Sequence, residues 1–565
     1  MSYKRIVPIL CITLVVSAIF FLYNRNESLS QQIESRNEIP VEEALISGEG
    51  KALSQELSFL VIGKESKIKK NIIELFEQTK LTYRNAEYAK RSELTEGRIL
   101  IFCGEEIEKL VDLKDLAQYI ETGGKVILAA GLAEGYTDSY LQPVLGILEK
   151  SVKENYNNLV FEEGFFCNFS GAMSYDGYTV STWIKTDEKT EIYGWTQEKK
   201  VPIVYTYPYG KGETLVINTN MLEDKACMGI LTAGIGTLVD YFIYPAFGTK
   251  LVYLDNFPLV TYSNDSTCMK LYGRTTENFV MGVVWPVFQG IAVRENIRYT
   301  SGILAASTEG KDFPEINSSL FYSMGKSAVQ FGGEVIITGE LGKKETLYFN
   351  DRFLGDFKEK FPNYRINGLA VSGERPTKEN IERIKDKVET VSAVRLRLDA
   401  ERDGTESPFL WNQEYYTFPL MTEGLSLEGK NRFEIASMLT AYGAVSHQFD
   451  INEFISVSEE EDYWDENSRI MEDYEKEIFS RCDFLEPKTL SQMENKAKSY
   501  HELEYGYEAK GETLVIQMKN FVKGQKLLLN TKKKIKSMTG GSWEKAGEGY
   551  WLLDVEEPRM ILVWE

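Results

Sequence analysis

Apolar and polar positions along the chain fall into three kinds of pattern. The first is one long apolar run. Ile6 to Tyr23 carries no charge, and Lys4 and Arg5 stand just before it. As a helix rising 1.5 Å per residue, such a run reaches about 27 Å, close to the hydrocarbon thickness of a bilayer. Basic residues ahead of it predict a single-pass anchor at 6–23, with residues 1–5 cytoplasmic and the bulk of the chain outside. Val16-Ser17-Ala18 offers a small-residue cleavage site, so a cleaved signal peptide is the alternative. Against it, the apolar run continues through Ile19–Tyr23, longer than most signal cores. Residues 24–55 are polar and read as a juxtamembrane linker.

The second pattern alternates short apolar runs with amphipathic stretches. LSFLVIG, GRILIFCG and KVILAAG are apolar throughout, while KIKKNIIELFEQTK and IEKLVDLKDLAQYIETGG carry apolar residues at helical spacing. Strands of that kind separated by helices predict a parallel sheet covered on both faces. We read 56 to about 150 as a flavodoxin-like layer within an α/β domain at 56–248. Residues 158–222 are richer in strand signals. There, Gly210-Lys211-Gly212 reads as a turn between strands, since it lacks phosphate-loop spacing and opens no helix. Met228 to Phe247 reads as a helix with an apolar face.

The alternation resumes over 249–456. KLVYLDNF, RYTSGILAAS, EVIITGE, RINGLAVSGE and VSAVRLRLD predict strands. TENFVMGVVWPVFQGIAVRENI, INSSLFYSMGKSAVQFGG and KENIERIKDKVE predict helices, the first kinked at Pro286. Repeated βα units of this length fit an irregular (β/α) barrel, which places its chemistry at the C-terminal ends of the strands. Asp255, Glu340, Glu374 and Asp399 stand at or just after those ends. The third pattern closes the chain: a polar helical segment at 457–504, then short strands and turns at 505–565 that predict a small antiparallel β module. The expected fold class is therefore α/β and multidomain, behind an N-terminal transmembrane helix.

Charge and composition narrow the chemistry. A formal charge of −21 argues against a nucleic-acid partner, since a phosphate backbone wants a basic patch. The six cysteines show no metal-ligand spacing and no disulfide framework that sequence can establish. Cys103 ends a strand but has no nucleophile-elbow context, so it reads as a buried thiol. A barrel strand that ends in two carboxylates suits metal-assisted hydrolysis, with one acid as base and the other as ligand. Here the strand ends in Asp255-Asn256. Asp255 is either a loop cap or a sugar-contacting carboxylate. Asp399 and Glu401 could pair for glycosidase work, although a solvated turn is the favoured reading. Trp285 and Tyr415 offer rings for stacking on sugar faces, and core packing explains them equally well.

KLVYLDNFPL, GGEVIITGE and GAVSHQFDINEF resemble degenerate motifs of the polysaccharide deacetylase superfamily. Over most of its length beyond residue 55 the chain is similar to a bacterial family called domain of unknown function 2194. The resemblance implies an amidotransferase-like layer joined to a deacetylase-like barrel, in a protein associated with exopolysaccharide gene clusters, including Pel-like ones. It implies Asp255 as the base and His447 as a late general acid, both vestigial, while the residue taken by itself favours His447 as a hydrogen-bonded structural imidazole. It implies metal ligands at positions held here by Asn256, Thr338 and Gly342, so no metal or other cofactor is expected. Asp255, Asn256, Trp285, Glu340 and Tyr415 are the expected substrate contacts. The implied function is a membrane-anchored extracytoplasmic pseudoenzyme of exopolysaccharide biosynthesis, modification or export. Its expected partners are the bacterial membrane, a polysaccharide, and synthase or export proteins. The alternative is an active deacetylase or glycoside hydrolase with a non-standard site.

Overall fold

The computed structural model describes residues 55–565 except 135–139, 170, 259–262, 309–312, 314–317, 342–345, 374–377, 398–414, 428 and 457–462. The anchor expected at 6–23, nearly all of the linker, and Gly342, Glu374, Asp399 and Glu401 lie outside the described residues. Among the described residues, no helix is long and apolar enough to cross a membrane.

The apolar runs of the N-terminal half form parallel strands. Ser58–Ile62 lies between Tyr83–Ala86 and Arg98–Phe102, followed by Lys125–Leu128 and Gly212–Ile217. Helices Lys67–Gln78 and Leu113–Glu121 start on side-chain caps. Ser66 accepts from the Lys69 N–H, and Asp112 accepts from those of Lys114 and Asp115. Beyond Gly212–Ile217 the sheet becomes antiparallel through Pro202–Tyr209. The turn between them requires Gly210, at φ +62°, because a Cβ there would stand 2.5 Å from the Glu121 carbonyl oxygen.

The single helix expected over Met228–Phe247 is corrected. The chain is helical over Gly229–Leu238, and Tyr241–Ala246 is then a strand. YFIYPA is a short continuous apolar run, which periodicity assigns to a strand or a buried helix equally well. The decision comes from a remote partner, since this strand pairs antiparallel with Gln525–Thr531. It thereby completes a C-terminal module of two four-stranded sheets that enclose Ile243, Ile516, Leu527, Leu553 and Leu562.

Between these parts lies the barrel. Its strands are β1 (Thr249–Asp255), β2 (Tyr299–Ser307), β3 (Glu334–Leu341), β4 (Gly368–Gly373), β5 (Ala393–Arg397), β6 (Tyr416–Leu420) and β7 (Ala444–Asp450). All seven are parallel, in the spatial order β6-β5-β4-β3-β2-β1-β7. The chain runs on from β6 into Thr422–Glu423, which pairs with β7, and the Met421 N–H donates to the Ser446 carbonyl. The parallel sheet is thereby nearly closed. Its interior is filled by setting large polar side chains against small ones. Arg395 is in register with Ala370, and Tyr416 with Ala393. The helical stretch Thr276–Arg294 contains a π-helical turn at Val280–Val284, just ahead of Pro286. A proline lacks the N–H that would continue the regular ladder there.

Candidate active site at the strand ends

Asp255 is the last residue of β1 and is buried. From β5, Arg395 meets it edge-on: Nη1 lies 3.0 Å from Oδ1 and Nη2 2.7 Å from Oδ2. This two-pronged geometry is the strong form of a guanidinium–carboxylate contact. The guanidinium also lies over the Tyr253 ring, 4.7 Å from its centroid. Room for the pair comes from Gly302 on β2. A Cβ there would stand 3.0 Å from the Asp255 Oδ1 and 2.4 Å from the Thr338 methyl.

The next residue, Asn256, takes φ +58°, a left-handed conformation that Asn tolerates better than most residues. Its Nδ2 donates to the Asp450 Oδ1 at 2.9 Å. Asp450 ends β7 in register with Asp255, and the same Oδ1 accepts the Asn452 N–H at 2.8 Å, starting the helix Ile451–Ile455. Burial raises the Asp450 pKa above the usual carboxylate range. The charges of Asp255 and Glu340 push the same way, while the two donated hydrogen bonds oppose them. Burial likewise raises Glu453. At the rim, Arg397 pairs with Glu423 at 2.6 Å.

The structure brings Asp255, Asn256, Thr338 and Glu340 to this one face of the barrel. Glu340 is half-buried near the end of β3, where its carbonyl accepts the Thr308 N–H. Trp285 lies behind the loop that follows β1. It is 4% exposed, with its ring 4.6 Å from that of Phe257 and its indole N–H donating to Ser327. Tyr415 is not at the site: it precedes β6, at the opposite end of the barrel, and is 1% exposed beneath Lys385.

His447 lies on the outer face of β7, away from the side that carries Asp450. The Gly424 carbonyl can only accept, so the His447 Nε2 carries the proton and donates to it at 3.1 Å. Nδ1 then accepts from the Thr422 hydroxyl at 2.8 Å. The ring is fully buried against Phe449 and Tyr474, and burial lowers its pKa to about 3. Burial thus keeps it neutral, against the Gly424 hydrogen bond, which favours the charged form, while the two bonds fix its tautomer. In the N-terminal layer Cys103 is buried, and desolvation pushes its thiol up to about 12, far from an activated nucleophile.

Sequence reasoning passed over Arg395. Its signal was present: a charge at the centre of VSAVRLRLD, a run otherwise patterned as a buried strand.

The donor set does not fit the divalent metal that the deacetylase resemblance implies. Both Asp255 oxygens face Arg395, Asn256 turns its amide nitrogen to Asp450, and position 338 offers a hydroxyl and a methyl group. Among the described residues, no three His, Cys, Asp or Glu side chains gather in a way that could hold a metal ion.

Residues 28–334, more than half of the chain, match the profile of a family described as "uncharacterised protein conserved in bacteria (DUF2194)". No protein with a curated description matches the sequence. Among solved structures, Agd3, described as a novel carbohydrate deacetylase, is similar at TM-score 0.49 and 10% identity. That match covers 91% of this chain and 99% of Agd3. A β-galactosidase from Bacillus circulans sp. alkalophilus is similar at TM-score 0.23 and 12% identity, over 30% of each chain. A cytoplasmic protein of Salmonella typhimurium LT2 is similar at TM-score 0.24 and 10% identity, over 29% of this chain and 89% of its own.

Proposed function

We propose that this chain, which belongs to the bacterial DUF2194 family, is a membrane-anchored extracytoplasmic protein that binds carbohydrate without cleaving it. The observation that carries the reading is the strand-end centre itself. It sits where (β/α) barrels do their chemistry, and around it stand the carboxylates of Glu340 and Glu453 rather than a cation site. Such groups suit the hydroxyls of a polyol. The motif resemblance supplies the substrate class, a polysaccharide, and the setting, an exopolysaccharide system with synthase or export partners. The apolar run at 6–23 and the polar linker after it supply the location.

The test is binding and turnover measured together. Full-length protein in detergent is titrated with N-acetylated and free-amine oligosaccharides, and acetate and reducing ends are assayed in the same samples. Binding that weakens about tenfold or more in the double variant Asp255→Asn with Arg395→Met, which leaves no stranded charge, with neither acetate nor new reducing ends released, supports the reading; such a loss equals roughly 1.4 kcal/mol. Catalytic release that Asp255→Ala abolishes would replace it with the enzyme alternative.

A further inference from the structure

The departure from a metal site is also a gain. β1 and β7 end side by side, with Asp255 and Asp450 in register on neighbouring strands. Two carboxylates so placed repel, and each needs a cation or hydrogen-bond donors to remain there. Asp255 has the Arg395 guanidinium. Asp450 has the Asn256 amide and the Asn452 N–H.

We infer that Asn256 is a tie between the ends of β1 and β7, and that this tie makes the strand-end centre self-sufficient without a divalent cation and closed to one. An ionised acid at position 256 would bring a third carboxylate against Asp450 and, unlike the amide, would have no N–H to donate to it. The amide is therefore the donor that this arrangement requires, not a weakened metal ligand. Its left-handed backbone aims it sideways toward β7, where Asp450 also caps the following helix. The tie thus fixes a strand end and a helix start together. The inference goes beyond the carbohydrate reading and does not depend on it, since it concerns what holds the centre in place.

The experiment uses full-length protein in detergent, loaded with zinc, desalted and analysed for bound metal, with thermal midpoints taken with and without EDTA. The variants are Asn256→Asp and the exchange Asn256→Asp with Asp450→Asn. In the exchange the amide and the acid trade places, so one N–H···O bond can form again while the capping oxygen is kept. The wild type is expected to hold far less than one zinc per chain, and EDTA is expected to leave its midpoint unchanged. Asn256→Asp is expected to lower the midpoint by about 3–8 °C, and the exchange to recover at least half of that. If Asn256→Asp does not fold, Asn256→Ala, Asp450→Ala and their double give the same coupling through a double-mutant cycle. One zinc per chain whose removal lowers the wild-type midpoint overturns the inference. So does an Asn256→Asp protein as stable as wild type, an exchange without recovery, or a cycle without coupling. Failure to bind a glycan would sink the proposed function and leave this result standing.

Discussion

Replacing Arg395 by methionine tests the centre at its base. Methionine keeps much of the side-chain length and removes the charge. Arg395 is 1% exposed and Asp255 7%, so solvent would do little to rescue the carboxylate left behind. Removing one member of a buried pair typically costs about 3–5 kcal/mol, mostly because the other charge stays buried and uncompensated. The contact with the Tyr253 ring adds up to about 1 kcal/mol, which the apolar methionine partly offsets. At roughly 2–4 °C per kcal/mol for a unit of this size, the midpoint should fall by about 6–20 °C. Adding Asp255→Asn removes the stranded charge. The double variant should therefore lie within about 1.5 kcal/mol of wild type and be more stable than Arg395→Met alone. Urea denaturation of the variants reads the loss. A loss below about 1 kcal/mol for Arg395→Met, or single losses that merely add, would refute a buried two-pronged pair.

Other expectations follow from single neighbours. His447 has its pKa lowered to about 3 from an ordinary 6.5, so the unfolded chain takes up the proton first as pH falls. Stability should therefore be lost between about pH 6.5 and 3, by at most on the order of 4–5 kcal/mol. Denaturation midpoints of His447→Gln across that range should lack this part of the slope. Gly302→Ala should destabilise by about 1–3 kcal/mol in chemical denaturation, because its Cβ would press on Thr338 and Asp255. The five cysteines of the described residues are all buried. Alkylation at pH 8 should leave Cys103, Cys167, Cys227, Cys268 and Cys482 unmodified until denaturant is added, as read by peptide mass spectrometry.

The parallel strands were legible in the sequence because they are buried on both faces. LSFLVIG, GRILIFCG and KVILAAG leave periodicity no second choice once helices separate them. Tyr241–Ala246 was not legible, since its six residues gain their structure from Gln525–Thr531, far along the chain. The site divides in the same way. Asp255 and Asn256 announce themselves at a strand end. The role of Arg395 depends on which face of β5 turns inward, and a strand pattern with both faces buried does not say. Tyr415 and Trp285 have compositions that suit sugar stacking, yet the fold uses both rings for packing, and exposure is a property of the assembled barrel. For His447 the Thr422 and Gly424 bonds come from the segment that closes the ring after β6, a connection no local motif encodes.

The Asp255–Arg395 pair also limits what the site can receive. A buried ion pair is poor value as a stability device, since apolar side chains of similar volume hold a core at least as well. Its presence beside Asn256 and Asp450 therefore asks for a reason at the strand ends rather than in the core, and places where local rules are broken tend to be functional. The Arg395 guanidinium is held by Asp255, and the other cation of β5, Arg397, pairs with Glu423. Among the described residues, the rim carries the acids Glu340, Asp450 and Glu453, with Glu423 paired to Arg397. An anionic ligand would meet like charge there. A neutral or cationic one would relieve the repulsion that, with burial, keeps the Asp450 pKa high. Among glycans, this predicts that neutral and free-amine oligosaccharides bind, that uronic-acid oligosaccharides do not, and that added salt narrows the gap by screening. Equal affinity for a uronic-acid series at low salt would show that the acidic rim takes no part in recognition.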